Sequence, residues 1–374
     1  MKRLHSIDIL RTFAIIFMVQ IHFVDYMSYL SARNNSLYDI IEHLGMLPAP
    51  IFTFLVGISL FISLQKYSPE IAHHQTLRRG VAIFILGLLH NLFNWGAESI
   101  FDWDILTLIG SALIIVYFLR RVNLIWMSLI IFSIIIFSPI LREILEYNQY
   151  WDFSTSEFTY ALTFKDIFLG WLISGYFPIF PWIIFPLAGY ATGRAVLGAN
   201  ATEEKEKHAW NFGLLGVLLA FVGALGVFLN PLTDTDAYLS PILFYPASTT
   251  YLLIMLGITM IAFTGLWLLL DAKETSTARA KWTRGRFALP IQRYSRYSLS
   301  TYLIHHTVHL YPLYLAGWIT AKDRWYYYTD AMPIWVALVL WLIFVVAFYY
   351  VLKLWDKVGG RYSFEWMLAK LVKE

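Results

Sequence analysis

The sequence predicts an all-α, polytopic membrane helix bundle. Three observations carry that expectation. Hydrophobic residues make up 59% of the 374-residue chain and charged residues 14%, well below the usual charged share of about 25%. Apolar runs long enough to cross a bilayer recur along the chain, about ten in all. Basic residues fall almost wholly on alternate connecting segments. A water-soluble globule has no way to hide so much apolar surface, and a disordered chain needs the opposite composition. Cysteine is absent, which excludes a disulfide scaffold and thiolate metal sites. A net charge of +3 gives no footprint for nucleic acid. No tail or linker is long enough for a second unit, so residues 1–374 are expected to form a single domain.

The expected spans are about 7–30, 49–65, 80–95, 104–119, 122–141, 176–197, 210–229, 248–270, 295–318 and 333–352. The first follows Lys2 and Arg3 and resembles the start of a signal peptide. Asp8 and Arg11 interrupt the approach and no small-residue cleavage site follows, so it reads as a retained helix. The third and fourth spans are short. An even number of spans puts both termini on one side. Twenty-two of the 28 Lys and Arg residues lie on that side and five opposite. Both ends are therefore expected in the cytoplasm, with the chain in the plasma membrane.

The longest outer segment, 142–175, is rich in aromatics and acids and reads either as a binding loop or as an interfacial aromatic belt. The connection after the seventh span, with Pro231 and Tyr238, is also an outer one. Residues 198–208 read as a polar inner loop. Residues 271–294 read as a basic inner loop suited to anionic lipid head groups. No internal repeat suggests an inverted-repeat transporter.

Ionisable side chains inside a bilayer are costly and mark function by default. In the first span Asp8, Arg11, Ile15, Met18, His22, Asp25 and Tyr29 recur at intervals of three and four. At about 100° per residue they form one stripe, and the stripe holds all four ionisable residues of that span. At 1.5 Å per residue, Asp8 and His22 are about 21 Å apart. Asp8 and Arg11 suit each other as a pair, and the planar fork of Arg11 suits phosphate. Arg78 and Arg79 lie on the same side of the membrane and also read as topology charges. Asp25 stands three residues from His22, where a carboxylate fixes an imidazole tautomer and raises its basicity.

The ninth span repeats the pattern with Ser295, Ser298, Tyr302, His305 and His309; His306 sits about 100° off that face. His305 lies roughly 15 Å in from the inner end, near the midplane. The third span aligns Gly87, His90 and Asn94, and the fourth opens at Asp104 ahead of Thr107 and Ser111. Their similar depths suggest one shared cavity. Several histidines also raise a metal site. No pair has the H-E-x-x-H setting, and His305 with His309 needs a third ligand from another helix. No metal is expected.

RLHSIDILRTFAIIFMVQIHF (3–23) resembles the first helix of the heparan-alpha-glucosaminide N-acetyltransferase catalytic-domain family of transmembrane acyltransferases. The pattern Ser-(Ile/Leu)-Asp-x-x-Arg falls on Ser6, Ile7, Asp8 and Arg11, and the histidine closing this helix in bacterial members falls on His22. PAPIFTFLVGIS (48–59), LRRGVAIFILGLLHNLFNWG (77–96), FDWDILTLIG (101–110) and PIFPWIIFPLAGYATGR (178–194) resemble later helices in family order. YSLSTYLIHHTV (297–308), with its histidine on His305, and GGRYSFEWMLAKL (359–371) complete the order. Thr12 stands where many members have glycine. The outer-loop His-x-x-Trp of eukaryotic members has no counterpart; Ser36 stands at that position, and His43 has a different setting. The bacterial branch fits better.

The resemblance implies an enzyme that takes an acyl group from cytoplasmic acetyl-CoA or another acyl-CoA and delivers it to a glycan or other envelope acceptor. Under that reading Asp8, Arg11, Arg78 and Arg79 bind the donor. His22, Asp25 and His305 carry the chemistry, and His90, Asn94, Asp104, Tyr302 and His309 line the acceptor side. A histidine there either removes a proton from the acceptor or carries the acyl group itself; both stay open. Membrane lipid is an expected partner, nucleic acid is not, and a homodimer is compatible with the sequence. The competing reading is a transporter or lipid-handling protein whose path the same polar stripe lines.

Overall fold

The computed structural model describes residues 3–153, 157–229, 242–273 and 275–373. The connection through Pro231 and Tyr238 therefore lies outside the described residues. The elements begin with α1 (His5–Met27), α2 (Ser36–Gly45), α3 (Pro48–Leu64), α4 (Pro69–Asn94) and α5 (Ile105–Leu119). Next come α6 (Leu124–Ile144), a two-stranded hairpin of β1 (Trp151–Asp152) and β2 (Glu157–Phe158), α7 (Phe164–Leu169), α8 (Ile179–Trp182) and α9 (Ile184–Gly198). Then follow α10 (Thr202–Leu229), α11 (Thr249–Leu270), α12 (Thr277–Arg284), α13 (Ala288–Arg296), α14 (Ser298–Ile319), α15 (Ile334–Lys357) and α16 (Phe364–Lys373).

Eight helical stretches among the described residues are long and apolar enough to cross a membrane. The two other expected spans are also helical: α5, of 15 residues, and α14, whose histidines and tyrosines dilute its apolar character. Large apolar side chains such as Leu214, Phe221 and Phe228 on α10, and Val339, Ile343 and Val346 on α15, face outward. Such surfaces belong in lipid rather than water. The chain is an all-α multi-pass membrane protein.

Several boundaries differ from those expected, for a common reason. Hydropathy marks where a helix lies in hydrocarbon, not where it ends. The third span is not short: α4 runs 26 residues from Pro69, its polar first turns being good helix positions with proline at the start. The polar segment 198–208 is helical from Thr202, where Glu203 and Glu204 complement the helix N-terminus. The basic segment 271–294 holds α12 and most of α13. The ninth span starts at Ser298, because the chain breaks at Tyr297 (φ −109°, ψ 33°). The sixth span is broken at Phe180, between Pro178 and Pro181.

The chain forms two compact units. One comprises Pro50–Ser276. Within it α4 and α5 pack very closely through glycines. A Cβ on Gly110 would lie 2.6 Å from the Gly80 carbonyl oxygen, and one on Gly87 would lie 2.9 Å from the Thr107 amide. Small residues thus let the two backbones meet, as in other membrane helix pairs. In segment 142–175, Tyr147, Tyr150, Trp151, Phe158 and Leu169 form a buried cluster with Trp103 around the hairpin. Trp151 Nε1–H donates to the Ser174 carbonyl at 2.6 Å, and Tyr160 OH to the Glu98 carbonyl at 2.7 Å.

The other unit comprises Leu4–Ala49 and Thr277–Glu374, with α1 at its centre. Thr12 Oγ1 donates to the Ile291 carbonyl of α13 at 2.7 Å. Trp341 Nε1–H of α15 donates to the Ile16 carbonyl at 3.1 Å. Glu365 of α16 receives the Ser300 amide at the head of α14 at 2.8 Å. These bonds tie α1 to α13 and α15, and α14 to α16.

Candidate active site

The polar stripe of α1 is turned into protein. Asp8, Ile15 and Met18 are buried, and Arg11, His22 and Asp25 are half-buried. At one end, Ser295 Oγ of α13 donates to Asp8 Oδ1 at 2.7 Å. Arg11 lies one turn further along. Arg78 and Arg79 are on α4, in the other unit, and both are exposed.

Further along the stripe, His22 meets α14. Its Nδ1 lies 2.8 Å from His305 Nε2, and the two rings stack with centroids 5.1 Å apart. His306 joins them, with its ring centroid 4.8 Å from that of His22 and 4.1 Å from that of His305. His309 follows one turn on, 5.5 Å from His305. His305, His306 and His309 are 0%, 3% and 0% exposed, so water does not compete for their hydrogen bonds. Sequence periodicity put His306 off the face; the ring of His22 reaches both sides of it. The adjacent His-His pair was the signal for it.

The surrounding carbonyls fix the tautomers. His305 Nδ1 abuts the Tyr302 carbonyl, and a carbonyl only accepts, so Nδ1 carries the hydrogen and Nε2 the lone pair. His22 Nδ1–H must then donate to His305 Nε2. Nε2 of a neutral His22 is therefore its basic nitrogen. His309 Nδ1–H donates to the His305 carbonyl at 2.8 Å in the same way. Tyr302 is buried, its ring 5.6 Å from His305. Tyr26 stacks on His309 at 5.4 Å and on Tyr328 at 5.4 Å.

Asp25 stands one turn beyond His22. Its Oδ1 accepts from Tyr38 OH at 2.9 Å, and its backbone carbonyl accepts from Arg33. Tyr38 and Arg33, on and just before α2, had not been singled out. Their contacts tie the C-terminal end of α1 to the segment that follows it.

The remaining expected residues form a second polar cluster within Pro50–Ser276. His90 Nδ1 lies 3.5 Å from Asp104 Oδ2. Asp104 also caps α5, its Oδ1 accepting the Ile105 amide at 2.6 Å. Asn94 Nδ2 donates to the His90 carbonyl at 2.9 Å. Ser111 Oγ donates to the Thr107 carbonyl at 2.8 Å and receives Trp171 Nε1–H at 3.0 Å. Asp102, outside the spans, is pushed up to about 7, first by burial and then by the nearby charges of Asp104 and Glu98; hydrogen bonds from Ser99 and Tyr160 partly offset this.

The arrangement holds an imidazole with a defined basic nitrogen, backed by a second imidazole of fixed tautomer, on a charged helix face. Such an arrangement can take up and release a proton at His22 Nε2. No curated protein matches the chain. The model of the family described as heparan-alpha-glucosaminide N-acetyltransferase, catalytic, matches residues 3–231, more than half of the sequence, and the chain belongs to that family.

Proposed function

We propose that this protein moves an acetyl or other acyl group from a cytoplasmic acyl-CoA to a glycan or other acceptor of the cell envelope. Family membership supports a transmembrane acetyltransferase. The observation that carries the finer reading is the His22–His305 contact on a polar stripe whose other end holds Asp8 and Arg11. The family match ends at residue 231, so what supports His305 is its contact with His22.

Arg11 pairs with an anionic group of the CoA donor at the cytoplasmic end of α1. The thioester then lies along the stripe toward His22. His22 Nε2 accepts the proton of the acceptor hydroxyl or amine as that atom attacks the thioester carbonyl. The resulting imidazolium is held by its Nδ1–H bond to His305 Nε2. The tetrahedral intermediate collapses with loss of the CoA thiolate, which takes the proton from His22 Nε2 and leaves as free thiol. The acceptor keeps the acyl group, and both histidines return to their starting tautomers.

The test is transfer of labelled acetyl from acetyl-CoA by membranes containing the protein, with a glycan mass comparison between cells with and without it. Loss of one acyl mass in cells lacking the protein is the expected result. Purified protein should gain thermal stability with free CoA by ligand linkage. No stabilisation and no missing acyl mass would favour a polar transport path instead. A tag at Pro231–Tyr238 should be labelled from outside intact cells; labelling only after lysis reverses the direction of transfer.

A further inference from the structure

We propose that His22, His305 and His306 form a three-imidazole binding site for a zinc-like transition-metal dication, and that metal there silences acyl transfer. The binding half stands on geometry alone. The silencing half rests on the transfer reaction proposed above.

One ligating nitrogen from each of the three side chains lies within 4.8 Å of the others. Tetrahedral zinc with bonds of about 2.0–2.1 Å needs ligand nitrogens about 3.4 Å apart. Small rotations of three rings reach that geometry from separations of at most 4.8 Å, with His22 Nδ1 and His305 Nε2 at 2.8 Å. His305 is already arranged as a metal ligand. Its Nδ1–H is engaged by the Tyr302 carbonyl, which aims the Nε2 lone pair into the cluster; metal-bound histidines characteristically anchor their other nitrogen this way. Neutral imidazoles select zinc, cobalt, nickel or copper. Magnesium and calcium, which prefer oxygen ligands, are excluded. The fourth position falls to water.

Silencing follows from the tautomers. In the transfer reaction His22 keeps hydrogen on Nδ1 and uses Nε2 as the base. A metal between His22 and His305 takes the Nδ1 lone pair, so the hydrogen moves to Nε2. No proton is gained or lost, but Nε2 becomes a donor and ceases to be a base. Metal binding and proton abstraction therefore exclude each other at one ring.

The test uses full-length protein in detergent, stripped with chelator and titrated with Co2+, whose visible spectrum reports tetrahedral coordination. One equivalent of Co2+ should give that spectrum, be displaced by Zn2+ and resist Mg2+. His306→Gln and His306→Asn, checked for wild-type elution, should weaken binding by at least about tenfold, the least that loss of a supporting contact costs. Absence of a stoichiometric tetrahedral species, or equal binding by the His306 variants, overturns the site. In the transfer assay Zn2+ should inhibit the wild type, and His306→Gln, compared with its own metal-free rate, should need at least about tenfold more Zn2+ for half-inhibition. Stimulation by Zn2+, or equal inhibition of the variant, overturns silencing. A protein that binds one Co2+ yet transfers no acyl group leaves the metal site standing and removes the transfer reading.

Discussion

His22 Nδ1 and His305 Nε2 approach to 2.8 Å across 283 residues of chain. The contact makes the two imidazoles a unit in which one sets the hydrogen position of the other. The Tyr302 carbonyl fixes His305, and His305 in turn leaves the lone pair of a neutral His22 on Nε2. Replacing His22 by Ala should lower transfer by about 10²–10⁴-fold, the range of a lost general base, with elution and helical content unchanged. Wild-type turnover in that variant would remove His22 from the mechanism.

In the proposed reaction His305 acts through His22, so its variants should behave differently. His305→Leu should lower kcat while the KM for each substrate stays put, because only the imidazolium-like transition state loses support. His305→Gln carries an amide oxygen able to accept the Nδ1–H and should recover part of the loss. A rise in acceptor KM with kcat unchanged would instead make His305 a substrate-binding residue.

Asp104 holds two structures at once, the α5 N-cap and the His90 contact. Asp104→Ala removes both and should cost about 1 kcal/mol through the cap alone. Asp104→Asn keeps the cap and loses only the charge facing His90. Thermal unfolding should therefore separate the two variants, with Asn nearer the wild type. An equal loss in both would mean that the His90 contact, not the cap, dominates.

The first-helix stripe was legible because a helix repeats every 3.6 residues and every ionisable residue of the span fell on one face. Its inward orientation follows from the cost of charge in lipid. His306 was not legible. Sequence gives a residue's angle on its own helix, but not the reach of a partner ring on another. The Tyr38 and Arg33 contacts to Asp25 were hidden for the same reason, since they depend on how the chain turns after α1. Helix ends were missed where charged but helix-favouring residues, such as Glu203–Lys207, carry a span beyond its apolar stretch.

Asp102 gives the extramembrane part of the Pro50–Ser276 unit a pH dependence. Burial raises its folded value to about 7 from an ordinary 3.8. The folded state therefore holds a proton that the unfolded state has released between these values. Stability is fully present at or below pH 4 from this group and is lost as pH rises through 7. The unfolding temperature in detergent should drop between about pH 4 and pH 7, the ordinary and raised values. Asp102→Asn should flatten that slope. An unchanged slope in the variant would assign the dependence to another group.

Arg11 carries the donor end of the proposal. Hydrogen bonds to a charged partner contribute about 1.5–3 kcal/mol, so Arg11→Ala should raise the KM for acyl-CoA by roughly 10–150-fold. The chemistry at His22 lies about 16.5 Å away along α1, so kcat and the acceptor KM should hold. Arg11→Lys keeps the charge but loses the planar two-point fork, and should fall between the two. The half-buried setting of Arg11, one turn from an Asp8 already engaged by Ser295, makes a structural role the rival explanation. A structural role would lower thermal stability and depress kcat in both variants alike. A donor KM that moves alone, graded Arg, Lys, Ala, separates ligand binding from support of the fold; a shift confined to the acceptor constant would assign this end of the stripe to the wrong substrate.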